Sequence, residues 1–420
     1  MRNDFEEILQ RYADAAVTGA LNLQKGQRLM IIGPRTSGGV PHDSAVLVRA
    51  LARSAYRHGA ARVEVLWGDE DLQLIRFNEA PADSFGNFSA WQCHALAEHV
   101  DGGGAILSVA AGNPDLLAGL PSERVSAFQR AASTALQPVS ERIGRNKTNW
   151  LVVSGAAPAW AARVFPNEAP AAQVEKLWDA IFAMCRLEGP NAGGGWHAHM
   201  DSLLGRMNFL NERRYGALKY KGPGTDLTIG LPDGHVWASG PSTSATGIRF
   251  SPNMPTEEVF TMPHCRRVEG VVQSSKPLSY GGVMIDDFTV RFSEGRVVEV
   301  KAAQGEEALR NMVASDDGAA RLGEVALVPH SSPIAQSGIL FYNTLFDENA
   351  ASHVALGSAY RFTVKGGEAM TDEQFAAAGG NKSIIHVDFM IGSDKLDIDG
   401  VLPNGATEPL MRQGEWATPV

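Results

Sequence analysis

Cysteine is scarce: the 420 residues hold three, Cys93, Cys185 and Cys265, far apart and odd in number. They outline no disulfide framework and no CxxC metal clip, so a reducing compartment is expected. A cationic excess is also missing. Lys and Arg total 37 against 47 Asp and Glu, a formal charge of -10, which argues against a nucleic-acid backbone as partner. No apolar run reaches the length needed to cross a bilayer. The opening residues, MRNDFEEILQRY, are acidic and amphipathic where a secretory signal would be basic and then apolar. A cytoplasmic protein engaging neither membrane nor nucleic acid is expected.

What is present reads as globular. Apolar residues make up 44% and charged residues 20%, wrong for a disordered chain, and the length predicts two to three domains. Through the first part, apolar β-branched runs alternate with helical stretches. Arg28–Ile32, Arg62–Trp67, Gly104–Val109 and Trp150–Val153 read as strands; Ser44–His58, Ser89–Val100 and Ser122–Glu141 read as helices. Strict alternation predicts an α/β N-terminal domain, residues 1–195, with a mostly parallel sheet covered on both faces. Two Gly-rich stretches, 33–39 and 101–104, match neither GxGxxG nor the P-loop and are read as tight turns.

The run Glu188–Gly195 (EGPNAGGG) reads as a linker or turn, and a helix is expected over Trp196–Tyr215. His197 and His199 would point to different sides of it, so a metal role is not expected of them. Beyond Tyr220 the grammar changes to short strands with turn signals, including a hairpin about Ser293–Arg296. Residues 196–420 are therefore expected to form an α+β C-terminal domain with a largely antiparallel sheet.

Four segments there concentrate metal-capable side chains: NMPTEEVF (253–260), GEVALVP (323–329), DENAASHVALGSAY (347–360) and IIHVDFMIG (384–392). The last is a β run, so His386 and Asp388 project to one face. A carboxylate in a buried strand is costly unless a metal or cation compensates it, although a His–Asp hydrogen bond holding the core fits this segment equally well. Glu324 opens a second apolar strand, where a solvated strand end is the competing reading. His353 and Tyr360 would share a face if their segment were helical, which Gly357 opposes. Two Glu, two His and one Asp make a mixed nitrogen–oxygen set suited to Zn, Co, Mn or Mg. Five ligands exceed what one ion needs with a water position open, and hydrolytic sites pair two ions about 3.5–4 Å apart.

The stretches NMPTEEVFTMP, VEGVV, LGEVALVP, LFDENAASHVALGSAY and HVDFMIGS resemble the metallo-aminopeptidase family typified by aminopeptidases T and S. The resemblance is strongest over Trp196–Gly400. It implies metal ligands Glu258, Glu324, His353, His386 and Asp388, with Glu324 bridging, and Tyr360 beside two divalent ions. It further implies peptide substrates with a free N-terminus and a homodimer. Glu257 stands next to Glu258, but adjacent residues usually point apart, so an amine-binding role for it is not favoured. Two other readings carry their own expectations. A ring-cleaving dioxygenase of related fold would need one iron and a triad of two His and one carboxylate. A non-enzymatic binding protein on the same fold would have no need of a water-activating set.

Overall fold

The computed structural model describes residues 2–34, 37–187, 192–280 and 283–418. Two compact units form: Met1–Met200 with Gly240–Thr256 and Ile339–Leu345, and Asp201–Ser239 with Glu257–Gly338 and Phe346–Val420.

The first unit is α/β. Its strands are β1 (Arg28–Ile32), β2 (Arg62–Val65), β3 (Ala105–Val109) and β4 (Trp150–Val153), all parallel in the order β2-β1-β3-β4. Leu29, Ile31, Leu107, Val109, Leu151 and Val153 are buried on one face, and Met30, Ile32, Ile106 and Trp150 on the other pack against Leu96, Val100 and Val139, so the sheet is covered on both faces. Helices Ala45–Arg57, Ala90–Asp101 and Ser122–Gly144 lie where apolar residues recur at helical spacing. The glycines at 102–104 close the second of these helices: Gly103 adopts φ +75°, and the N–H groups of Gly102 and Gly104 donate to Glu98 and His99 carbonyls. This is a helix C-cap, consistent with a turn. In the 33–39 stretch, residues 35 and 36 lie outside the described residues; a side chain at Gly33 would stand 2.3 Å from the Gly39 carbonyl oxygen, so that loop folds back on itself.

Of the expected linker, residues 188–191 lie outside the described residues, and the rest differs from expectation: a helix runs Ala192–Arg213, beginning inside the glycine stretch. His197 is exposed on it, and the His199 ring donates to the Thr256 carbonyl at 2.7 Å.

Among its described residues, the second unit holds two antiparallel sheets. The larger has nine strands, among them Ala217–Gly222, Thr225–Gly230, Val268–Gln273 and the long hairpin Val283–Ser293/Arg296–Gln304 that turns at the expected place. The smaller has five: β5 (Ala238–Ser239), β6 (Val259–Thr261), β7 (Leu322–Leu327), β8 (His353–Gly357) and β9 (His386–Met390), ordered β9-β8-β7-β6-β5. The chain therefore joins an α/β part with a parallel sheet to an α+β part with antiparallel sheets. Among the described residues, no helix is long and apolar enough to cross a membrane.

Candidate metal centre

Residues paired across an antiparallel sheet share a face, so the register of the five-stranded sheet shows what gathers where. Phe260 pairs with Ala326, Ala326 with His353, and His353 with Met390. One step along, Glu324 pairs with Ala355 and Ala355 with Asp388; beyond it Gly357 pairs with His386. Glu324, His353, His386 and Asp388 thus occupy one face, and Glu258 reaches it from the residue before β6. The positions between them are Ala326, Ala355 and Gly357, whose small side chains leave room above the sheet. Gly357 is required twice over: its φ is +110°, and a Cβ there would stand 2.1 Å from the Ile385 carbonyl oxygen. The stretch from His353 is thus a strand; the helical alternative fails because every residue of β8 pairs in the sheet.

The ligand-capable atoms fall into two adjoining trios, each within 4.8 Å: Glu258, Glu324 and His353, all buried, and Glu324, His386 and Asp388, the last two half-buried. Glu324 belongs to both. Its Oε1 lies 3.7 Å from His353 Nε2 and its Oε2 lies 3.7 Å from His386 Nε2. His353 Nε2 is 3.1 Å from Glu258 Oε2, and His386 Nε2 is 3.5 Å from Asp388 Oδ1. Each ring is fixed from behind. His353 Nδ1 meets the Ala351 carbonyl at 3.0 Å and His386 Nδ1 meets that of Ser358 at 2.7 Å. A carbonyl can only accept, so each Nδ1 carries the proton and each Nε2 is left to face the acids, the tautomer that metal-binding histidines use.

This donor set fits divalent ions. Glu258 Oε2 and Asp388 Oδ1 are buried with no hydrogen-bond partner, and two imidazole lone pairs face carboxylate oxygens, an arrangement that repels unless positive charge stands between. The field is strong. Burial lowers the His386 pKa, yet Asp388 and Glu324 more than reverse this and push it up to about 10. Burial likewise opposes a charged His353, and Glu258 and Glu324 raise it well above the usual range. Glu324 is raised to about 7: burial lifts it most, Glu258 and Asp388 add to the rise, and the two histidines pull against it. Burial raises Asp388 too, but His386 outweighs it and holds the carboxyl below its ordinary value. Protons on the imidazoles would answer this field one ring at a time; a divalent ion within a trio would answer it for three side chains at once.

Tyr360 lies just past β8, its ring 4.9 Å from that of His386. Burial and the negative charges of Glu324, Asp388, Glu348 and Glu258 keep its hydroxyl protonated, well above the usual phenol range. Glu257 joins neither trio; its N–H donates to Asn349 Oδ1 at 2.7 Å.

Glu348 escapes sequence reasoning. It sits in the short turn Glu348–Ala350, and its carboxyl is pushed well above the ordinary range by burial, then by Glu258 and Asp388, so it shares the field of the cluster. The only signal was its place in the acidic segment before His353. An irregular turn has no periodicity that could say where it points.

Residues 5–416 match the model of a family described as thermophilic metalloprotease (M29). The chain is 44% identical over 415 residues to aminopeptidase AmpS of Bacillus subtilis, covering 99% of this chain and 100% of that one. Wild-type AmpT from Thermus thermophilus is similar in structure, with a TM-score of 0.90, 44% identity and coverage of 99% of this chain and 100% of that one. A 2,5-dihydroxypyridine dioxygenase from Pseudomonas putida shares the fold alone, at 12% identity and a TM-score of 0.53 over 98% of this chain and 97% of that one.

Proposed function

Because this chain belongs to the thermophilic metalloprotease (M29) family and is a metallo-aminopeptidase, we propose that it removes N-terminal residues from peptides at a two-ion centre on its five-stranded sheet. The observation that carries the two-ion reading is Glu324, whose two carboxylate oxygens face two different His–acid pairs. On this reading Glu258, Glu324 and His353 would hold one ion and Glu324, His386 and Asp388 the other, Glu324 serving both trios. Such ions supply Lewis acidity, lowering the pKa of a water and polarising the scissile carbonyl.

The chain's own residues do the rest. The Tyr360 hydroxyl, kept protonated, donates a hydrogen bond where negative charge develops on the carbonyl oxygen. Glu348, whose hold on its proton is strengthened by burial and by Glu258 and Asp388, supplies a further titratable group beside the ligand cluster. The substrate's free amine would be held at this centre, by an ion or by a carboxylate, which is the basis for exopeptidase action. Zn, Co, Mn and Mg all suit the donor set. The low cysteine count supports a cytoplasmic location, and the family resemblance a homodimer.

The test pairs metal counting with cleavage. Purified protein reconstituted separately with each metal is expected to hold two ions per chain and to release the first residue of Leu-Ala-Ala but not of its N-acetylated form. One iron per chain with ring-cleaving activity, or equal turnover of both peptides, would overturn the proposal.

A further inference from the structure

Beside the metal cluster stand three aromatic rings that the mechanism does not fully use. Tyr360 and Phe362 stack at 5.3 Å with 21° between their planes. Phe260 meets Phe362 edge-on at 6.1 Å and Tyr360 at 6.3 Å. Phe260 occupies the site face of β6, paired with Ala326, which is itself paired with His353. Neither Phe260 nor Phe362 is buried; each keeps part of its ring open to solvent beside a charged centre. Rings serving only as packing would bury their faces, since exposed aromatic surface forfeits the stabilisation of burial.

We infer that Phe260 and Phe362 form the surface that receives the side chain of the substrate's first residue, and that they select apolar first residues over small or charged ones. The inference rests on the aminopeptidase reading. With the Tyr360 hydroxyl at the scissile carbonyl, the first residue's Cα follows one bond away, about 1.5 Å. Its side chain then has to leave the metal centre on one side or another. The rings packed on Tyr360, within 5.3–6.3 Å of its own, offer apolar surface there. An acidic or basic side chain would have to give up its hydration against the apolar rings and is disfavoured there. A glycine leaves the rings uncovered and gains nothing from them.

The experiment uses full-length, metal-loaded protein and free-amine peptides X-Ala-Ala, with X as Leu, Phe, Gly, Lys or Glu. Wild-type kcat/KM is expected to favour Leu and Phe. In Phe260→Ala and Phe362→Ala the Leu-to-Gly ratio should fall roughly tenfold or more, the scale of discrimination available to an apolar pocket. Phe260→Leu and Phe362→Leu should restore much of it. Calorimetric binding of uncleavable reduced-amide analogues should show the same Leu-over-Gly preference in affinity. Equal loss for every X would mean that the rings only position Tyr360, and would overturn the inference. So would a wild-type preference for Gly, Lys or Glu, a result that needs no variant to fold. No cleavage of any free-amine peptide by wild type would instead defeat the aminopeptidase reading, and the calorimetric comparison would still test the rings.

Discussion

Replacing Glu324 by Gln should strengthen the metal-stripped protein and weaken the metal-loaded one. Glu324 is 5% exposed, and burial, with Glu258 and Asp388 adding to it, lifts its carboxyl from 4.5 to about 7 even with both histidines attracting it. The folded protein therefore binds this proton more tightly than the unfolded chain does. An acid raised in this way costs no stability below about pH 4.5, and costs progressively more as the pH climbs to about 7. Above that the cost levels off at about 3 kcal/mol, the equivalent of the whole rise. Gln keeps the shape and carries no charge, so metal-stripped Glu324→Gln should exceed stripped wild type by up to about 3 kcal/mol at pH 8 and match it near pH 4.5. Once metal is added the order should reverse, since Gln cannot serve both trios. Urea unfolding followed by circular dichroism at the two pH values, with chelator and then with metal, measures all four stabilities. A stripped variant less stable than wild type at pH 8, or a difference independent of pH, would refute the reasoning.

His386→Ala and Asp388→Ala should each lose one ion per chain by elemental analysis together with nearly all peptidase activity; unchanged metal content in both would reject the second trio. Tyr360→Phe should keep both ions and slow the chemical step roughly a hundred- to a thousandfold, the usual cost of one missing oxyanion donor; a wild-type rate would reject its catalytic role. Gly357→Ala should be poorly soluble or markedly destabilised by thermal scanning, because its φ is +110° and the new methyl meets the Ile385 carbonyl. A twofold-symmetric dimer should sediment at micromolar concentration, and a lone monomer would contradict the assembly.

The strands of the first unit were legible because parallel strands buried on both faces are unbroken apolar runs, as RLMII and WLVV are. The face shared by His386 and Asp388 follows from the period of a strand alone. Other features were not local. HVALGSAY has alanines and a spacing that suit a helix, and only pairing with β7 and β9 makes its first five residues a strand. The helix from Ala192 begins in glycines whose intrinsic preference opposes it. Glu348 and the ring pair Phe260 and Phe362 acquire meaning only from neighbours distant in sequence. Strand order was equally hidden, and it is strand order that lets Glu324 face both histidines.

That order also makes the two trios unequal partners. Glu324 and His353 come from β7 and β8, which each have a neighbour on both sides, Glu258 comes from the residue before β6, and all three are buried. His386 and Asp388 ride on β9, the strand at the end of the sheet's order, and both are half-buried. Outer strands open locally at lower free energy than inner ones, so on the two-ion proposal an ion held partly by β9 would have a way out that its companion lacks. The consequence is kinetic: dilution or mild chelation should empty the centre in two phases, with one ion leaving quickly and the other only when the sheet itself gives way.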